Sequence, residues 1–376
     1  MSDDRGAVET AEQILLLLDR GQFVATYKYA VLLGLMDLCL ERASRDGSAP
    51  QSVTTRQLAE RVIELYWPHT IPFVASGQAR KSDSERILRQ NKGGPAEILT
   101  LICEFRRQHA PAAASALSPA RAAAGEAFKR LVRNVEWKLI EMPLPKLQRL
   151  STGESAELIY RINWDDHVKR RDTKRDDFDN QIRFVGNAGE HLVRLAGLLR
   201  PLIQREWASM VADLNRDLTG EQHLADFLFG RTRVSLEAVR DPLREIQGDR
   251  CFYCGERLGA RVEVDHFVPW ARYPNDDLQN LVVADSRCNN DKRDFLAAVP
   301  HVRNWADRNL RRSADLHEIA RLTAWRSDDG RSSTVARAVY FHMPERSHLW
   351  LGGRTCFEAL ERTALRTVLE AAPSQE

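Results

Sequence analysis

Two cysteines separated by two residues and followed by glycine, Cys251-Phe252-Tyr253-Cys254-Gly255, restrict this chain more than any other feature of it. Thiolates at that spacing lie on one tight turn from which both can reach the same tetrahedral ion, and the glycine supplies the backbone freedom such a turn needs. A third cysteine, Cys288, lies in a stretch crowded with Asp and Asn. The fold must bring residue 288 back to the 251–254 turn if the three sulfurs are to share a metal, and three sulfur donors favour zinc. The remaining cysteines read differently. Cys39 lies in Leu38-Cys39-Leu40, Cys103 follows Leu101-Ile102 and Cys356 precedes Phe357, the setting of buried, unreactive thiols. Six cysteines so distributed along 376 residues are not a disulfide frame.

The segment after the turn alternates as a strand does. Val262 and Val264 point one way, Glu263 and Asp265 the other, and His266 ends the run. A neutral imidazole held by a backbone or amide acceptor suits a general base that takes a proton from water attacking a phosphodiester. Asp265 and Asn289 offer hard oxygen donors for a single magnesium or manganese ion, which would neutralise charge growing on the departing oxygen.

Four pieces in this order, Cys251-x-x-Cys254-Gly255, Asp265-His266, Asn280-Leu281-Val282 and Cys288-Asn289-x-x-Lys292, resemble the HNH endonucleases over about residues 250 to 297. That resemblance implies a ββα-metal fold, two antiparallel strands and a helix. It implies His266 as the base, Asp265 and Asn289 as ligands of the catalytic ion, and Asn280 as the residue that holds the loop so that His266 presents the correct nitrogen. Asn289 stands where the family's name has its final histidine, as in several members. Relatives with a zinc knuckle place a Cys or His three residues before the last cysteine, and here that position is Asp285. Either Asp285 closes the zinc site with Cys251, Cys254 and Cys288, the favoured reading, or zinc is weakly held or absent. Lys292 reads equally as a phosphate contact or as a helix-surface charge. Arg272 and Tyr273 are candidates for contacts with a DNA backbone, whereas Phe267, Val268, Pro269 and Trp270 read as packing.

Around this module the chain is mainly α-helical. Expected are a helical domain over 1–125, a second helical region over 126–235, the nuclease module over 236–300 and a helical tail over 301–376 whose Trp305, Trp325 and Trp350 pack back on the module. Thr54-Thr55-Arg56-Gln57 offers a capping box for a helix that should stop before Pro68. From Asp165 to Arg183 basic and acidic residues alternate, so the local field largely cancels; the stretch reads either as a nucleic-acid groove or, the favoured reading, as a solvated loop. With 55 Lys and Arg against 53 Asp and Glu the formal charge is +2, so a globally basic binder is excluded and affinity for nucleic acid must come from a local patch or a separate domain. The apolar runs Ile14–Leu18 and Ala30–Met36 fall far short of the roughly 20 residues that span a bilayer. With an acidic opening and no signal-like segment, the expected location is the cytoplasm.

The expected activity is metal-dependent hydrolysis of double-stranded DNA, leaving a 3′ hydroxyl and a 5′ phosphate, in a bacterial restriction or anti-phage effector. Two rivals stand beside it: a zinc-dependent nucleic-acid-binding module that does not cut, and a nuclease silent until an ATPase or sensor partner activates it. A zinc ribbon alone explains the three cysteines but not the Asp265-His266 pair or Asn289.

Overall fold

The computed structural model describes residues 2–20, 24–74, 85–112, 116–149, 157–216, 224–230 and 236–371. The chain divides into two compact units, one of residues 1–38 and 51–233, the other of residues 39–50 and 234–376. The border expected at 125/126 falls within the first of these units, at the start of a helix that packs on elements before and after it.

The first unit is helical with small sheets: α1 Ser2–Arg20, α2 Tyr27–Glu41, β1 Ser52–Thr54, α3 Thr55–Tyr66, β2 Phe73–Val74, β3 Glu85–Arg86, α4 Glu97–His109, α5 Leu117–Ala123, α6 Gly125–Glu141, α7 Pro143–Lys146, β4 Tyr160–Arg161, β5 Gln181–Phe184, α8 Ala188–Leu214 and α9 Leu224–Phe229. Strand β5 pairs antiparallel with both β1 and β4, and β2 pairs with β3. Helix α2 is buried from Tyr29 to Leu40 because it is apolar on every side except at Asp37, whose charge is paired. Helix α3 begins as its sequence demands. Thr54 accepts from the Gln57 backbone N–H and the Gln57 side chain accepts from that of Thr54, which satisfies two donors that the first turn cannot. Helix α6 lays Phe128, Leu131, Val132, Val135 and Leu139 against α3 and α4. Trp207 of α8 centres the core, fully buried among Tyr66, His69 and Phe229, with its indole N–H donated to Gln90 Oε1 at 2.8 Å.

The second unit comprises α10 Glu237–Ile246, β6 Val262–His266, β7 Leu281–Asp285, α11 Ser286–Lys292, α12 Val299–Arg311, α13 Ser313–Thr323, α14 Arg331–Phe341, β8 His348–Gly352, β9 Cys356–Ala359 and α15 Arg362–Glu370. Strands β6 and β7 pair antiparallel with Asp265 opposite Val282 and His266 opposite Leu281. The tail closes over them. Trp305 stacks on Phe267 at 4.7 Å and donates its N–H to Gln279 O, Trp350 meets Tyr253 edge-on at 5.1 Å, and Trp325 donates to Asp276 O at 2.6 Å. The tail is less helical than expected, since β8 and β9 form a hairpin within it. Cys356, expected to be buried, is exposed on that hairpin's second strand, while Cys39 is buried. No helix among the described residues is long and apolar enough to cross a membrane.

One buried charge cluster fixes the first unit. Asp37 of α2 is fully buried and accepts from Arg61 of α3 through Nε and Nη2, both at 2.7 Å, and from Arg200 of α8. Asp37→Asn keeps the shape and removes the charge between two buried guanidinium groups, so it is expected to cost roughly 3–5 kcal/mol, read as a lower urea midpoint with an unchanged m-value. A midpoint equal to wild type would show that the cluster does not hold α2, α3 and α8 together.

Candidate metal and nuclease site

The Cys251–Cys254 turn is built as the spacing requires. Gly255 has φ 71°, a conformation open to glycine at little cost, and its N–H donates to Cys251 O at 3.0 Å. Cys288 enters from α11, and the three sulfurs lie within 4.8 Å of one another. Three thiols that close could hold one metal ion, and the donor chemistry fits zinc. The Cys251 thiol is drawn below its ordinary range, first by a hydrogen bond from Cys288 and then by backbone N–H groups, and Cys288 is pushed up as the partner of that sulfur. Asp285 does not join the cluster. Its Oδ1 accepts from Arg287 N at 2.9 Å as the N-cap of α11, and only its backbone N–H reaches Cys251 Sγ, at 3.3 Å. A carboxylate three residues before Cys288 is also one residue before the helix, and the capping role takes it.

Strand β6 presents Glu263 and Asp265 to α11. Asn289 donates its amide to Glu263 Oε2, leaving Asn289 Oδ1 without a protein partner among the described residues. Asp265 is 4% exposed, and its Oδ2 accepts from Tyr253 OH at 2.6 Å and Lys292 Nζ at 2.9 Å. Its Oδ1 has no protein partner among the described residues. Burial, with the Asp265 carboxylate adding, pushes the Tyr253 phenol well above its ordinary range, so Tyr253 stays a donor. Thus Asp265 and Asn289 each keep one hard oxygen without a protein partner among the described residues, the donor type that magnesium or manganese takes.

Lys292, expected at a phosphate or on the helix surface, is at neither place. It is fully buried, bonded to Asp265 and to His266 O at 3.0 Å, and lies over the Tyr253 ring at 5.7 Å. A side chain with no exposed surface cannot meet a phosphate. Tyr273 is likewise buried, its hydroxyl on Glu41, so it makes no backbone contact with a polymer. Arg272 is half-buried, and burial lowers its guanidinium below the usual range.

His266 ends β6 with its ring 5.1 Å from Trp270. Its Nε2 lies 2.8 Å from Asp276 Oδ1, a partner that the sequence reading missed. Only proximity in the loop pointed to it, because Asp276, Asp277 and Asn275 look alike as letters. Asp277 instead meets Arg326 at 2.8 Å and Asn275 bonds Ser332. With Nε2 on a carboxylate, the proton of a neutral ring sits there and Nδ1 is left as the acceptor. Asn280 is buried and bridges the loop: Oδ1 accepts from Val268 N at 2.8 Å, and Nδ2 donates to Val268 O and to Asn275 O.

Residues 251–298 match the HNH endonuclease family, and the match spans the cysteine turn, both strands and α11. Neither a curated protein nor a solved structure matches the chain.

Removing Lys292 tests the buried pair. Lys292→Met leaves Asp265 ionised without its counter-charge and is expected to destabilise the second unit by about 3–5 kcal/mol, read from denaturation followed by tryptophan emission. The double variant Asp265→Asn/Lys292→Met should recover most of that loss; failure to recover it would mean that Lys292 acts through packing alone.

Proposed function

We propose that the module is a metal-dependent endonuclease that hydrolyses the backbone of double-stranded DNA, leaving a 3′ hydroxyl and a 5′ phosphate. One observation carries this reading: an imidazole at a strand end has Nε2 fixed by Asp276 while Nδ1 has no protein partner among the described residues, and Asp265 and Asn289 of the same ββα unit each keep an oxygen likewise without one. The family match over these residues supports the nuclease class.

In this reading Asp276 holds the proton on Nε2, so Nδ1 takes one from a water attacking phosphorus. Asn280 holds the backbone after His266 so that the ring cannot swing as it gains charge. Asp265 Oδ1 and Asn289 Oδ1 would hold the divalent ion. When bound, that ion supplies Lewis-acid stabilisation of charge on the phosphate and the departing oxygen. Glu263 fixes which edge of the Asn289 amide faces outward, and Lys292 and Tyr253 fix Asp265. Of the cations expected at phosphate, Arg272 alone retains exposure. The cysteine cluster would hold zinc and pin the 251–254 turn to the start of α11. We place the chain in bacterial restriction or anti-phage defence, a setting supported only by the order of its parts, a long helical region ahead of the module.

Nicking of supercoiled plasmid with magnesium or manganese tests the reading. His266→Ala is expected to lower the rate roughly 10²–10⁴-fold, and Asn289→Ala to raise the metal concentration needed as well as lower the rate. Asp276→Ala should lose about 10–100-fold and shift the pH profile, with Asp276→Asn losing less because an amide oxygen still accepts from Nε2. Equal nicking by wild type and His266→Ala would overturn the mechanism, and DNA binding with no cleavage under any metal would favour the binding-module rival.

A further inference from the structure

The first unit holds a cleft of about 410 Å³ between one face of α6 and the 170–180 loop. Arg133, Trp137 and Ile140 line it from the helix, the spacing that puts side chains on one face. Arg170, Lys174, Phe178 and Asn180 line it from the loop. The walls are preformed. Arg170 donates to Asn134 Oδ1 at 2.5 Å, Trp164 donates to Ile140 O at 3.1 Å and lies 5.5 Å from the Phe178 ring, and Asn180 O accepts from Thr55 N at 2.9 Å.

The charges of this loop do not cancel uniformly. Three basic residues outside the cleft are neutralised by close carboxylates: Arg175 by Asp177, Arg183 by Asp179, Arg149 by Asp166. Arg133, Arg170 and Lys174, which line it, make no ion pair with any described residue. Glu136 is the one acidic side chain among the cleft's lining residues, and its Oε1 already accepts from Thr55 OH at 2.6 Å. Two further groups are left over. The Trp137 indole N–H and the Asn180 side-chain amide are half-buried and have no protein partner among the described residues. The cleft therefore combines flat aromatic surface, an unused amide and indole donor, and three unpaired cations.

We propose that this cleft binds a nucleotide, with the base against Trp137 and Phe178, its edge read by Asn180, and its phosphate held by Arg133, Arg170 and Lys174. Inorganic phosphate would use the cations and leave the aromatic wall wet, while an uncharged aromatic ligand would leave the cations unused. A volume of this size suits one nucleotide rather than a duplex. The same chemistry comes from a free nucleotide or from an unpaired residue of a strand. The inference stands apart from the nuclease reading, since no residue of the 251–298 module enters it.

Calorimetry on the full chain decides it, with the four 5′-mononucleotides, a short unpaired oligodeoxynucleotide, inorganic phosphate and O-phosphotyrosine as separate probes. Wild type is expected to bind a mononucleotide or the oligonucleotide at least about tenfold more tightly than phosphate or phosphotyrosine, given the contribution of base stacking. Trp137→Ala should weaken that binding roughly 10- to 100-fold, with Trp137→Phe recovering much of it because a ring remains. Lys174→Ala should weaken it and flatten its salt dependence. Binding of mononucleotides assigns the free ligand, and binding of the oligonucleotide alone assigns a strand. No binding of either by wild type, equal binding by Trp137→Ala, or phosphotyrosine binding as tight as the nucleotide would overturn the proposal. His266→Ala should bind as wild type does whether or not the module cuts DNA.

Discussion

The ammonium of Lys292 sets the geometry of the second unit's ββα core. It lies where the last turn of α11 crosses the end of β6, bonded at once to the Asp265 carboxylate and the His266 carbonyl. A buried ion pair of this kind contributes little net stability over a well-packed apolar pair, because both partners lose their hydration. It does select one arrangement, since any slip of the helix along the strand would leave a buried carboxylate unpaired. The second link between the same elements, Asn289 to Glu263, runs in parallel with the first. Two residues of strand advance about 6.8 Å and three residues of helix about 4.5 Å, and the long Lys292 side chain takes up the difference. Site geometry thus follows from register: once Lys292 finds Asp265, Asn289 faces Glu263.

This explains why the site was legible in part. The cysteine turn, the strand alternation at 262–266 and the order of Asp265, His266, Asn280 and Asn289 are local patterns, and local patterns survive as letters. Lys292 failed because a lysine in a short helix reads as surface unless its facing strand is known, and the facing residue was the one already assigned to metal. Asp285 failed through competition, since the position that suits a zinc ligand is also the position that caps α11. Asp276 could not be found because the loop carries several interchangeable polar residues, and only contacts with Trp325, Arg326 and Ser332 decide which of them turns toward His266.

Those contacts give the tail a purpose that its sequence did not announce. The residues between β6 and β7 form a long connection with a single short turn of 3-10 helix, Leu278–Asn280, and such connections are ordinarily mobile. Here Gln279 bonds Ser327 and Asp329, Asn275 bonds Ser332, and Tyr273 and Arg331 converge on Glu41 from the 39–50 segment. The loop is fixed by side chains far away in sequence, so the imidazole and its carboxylate are held in place by the fold itself. Under the proposed function, this is the condition in which a positioned base accelerates proton transfer without a further ordering cost.

Near-zero net charge poses a related problem of distribution. With the formal charge at +2, long-range attraction to a polyanion is weak, and selectivity must come from places where positive charge is left unpaired. The first unit satisfies most of its arginines with close carboxylates and leaves three cations open at one cleft with aromatic walls. Averaging charge along the sequence hid this, because Asp172, Asp176, Asp177 and Asp179 cancel the loop's charge as a sum while the fold spends two of them on Arg175 and Arg183. The informative quantity in a balanced chain is therefore the charge that the fold leaves over after pairing, and it becomes visible only when each partner is known.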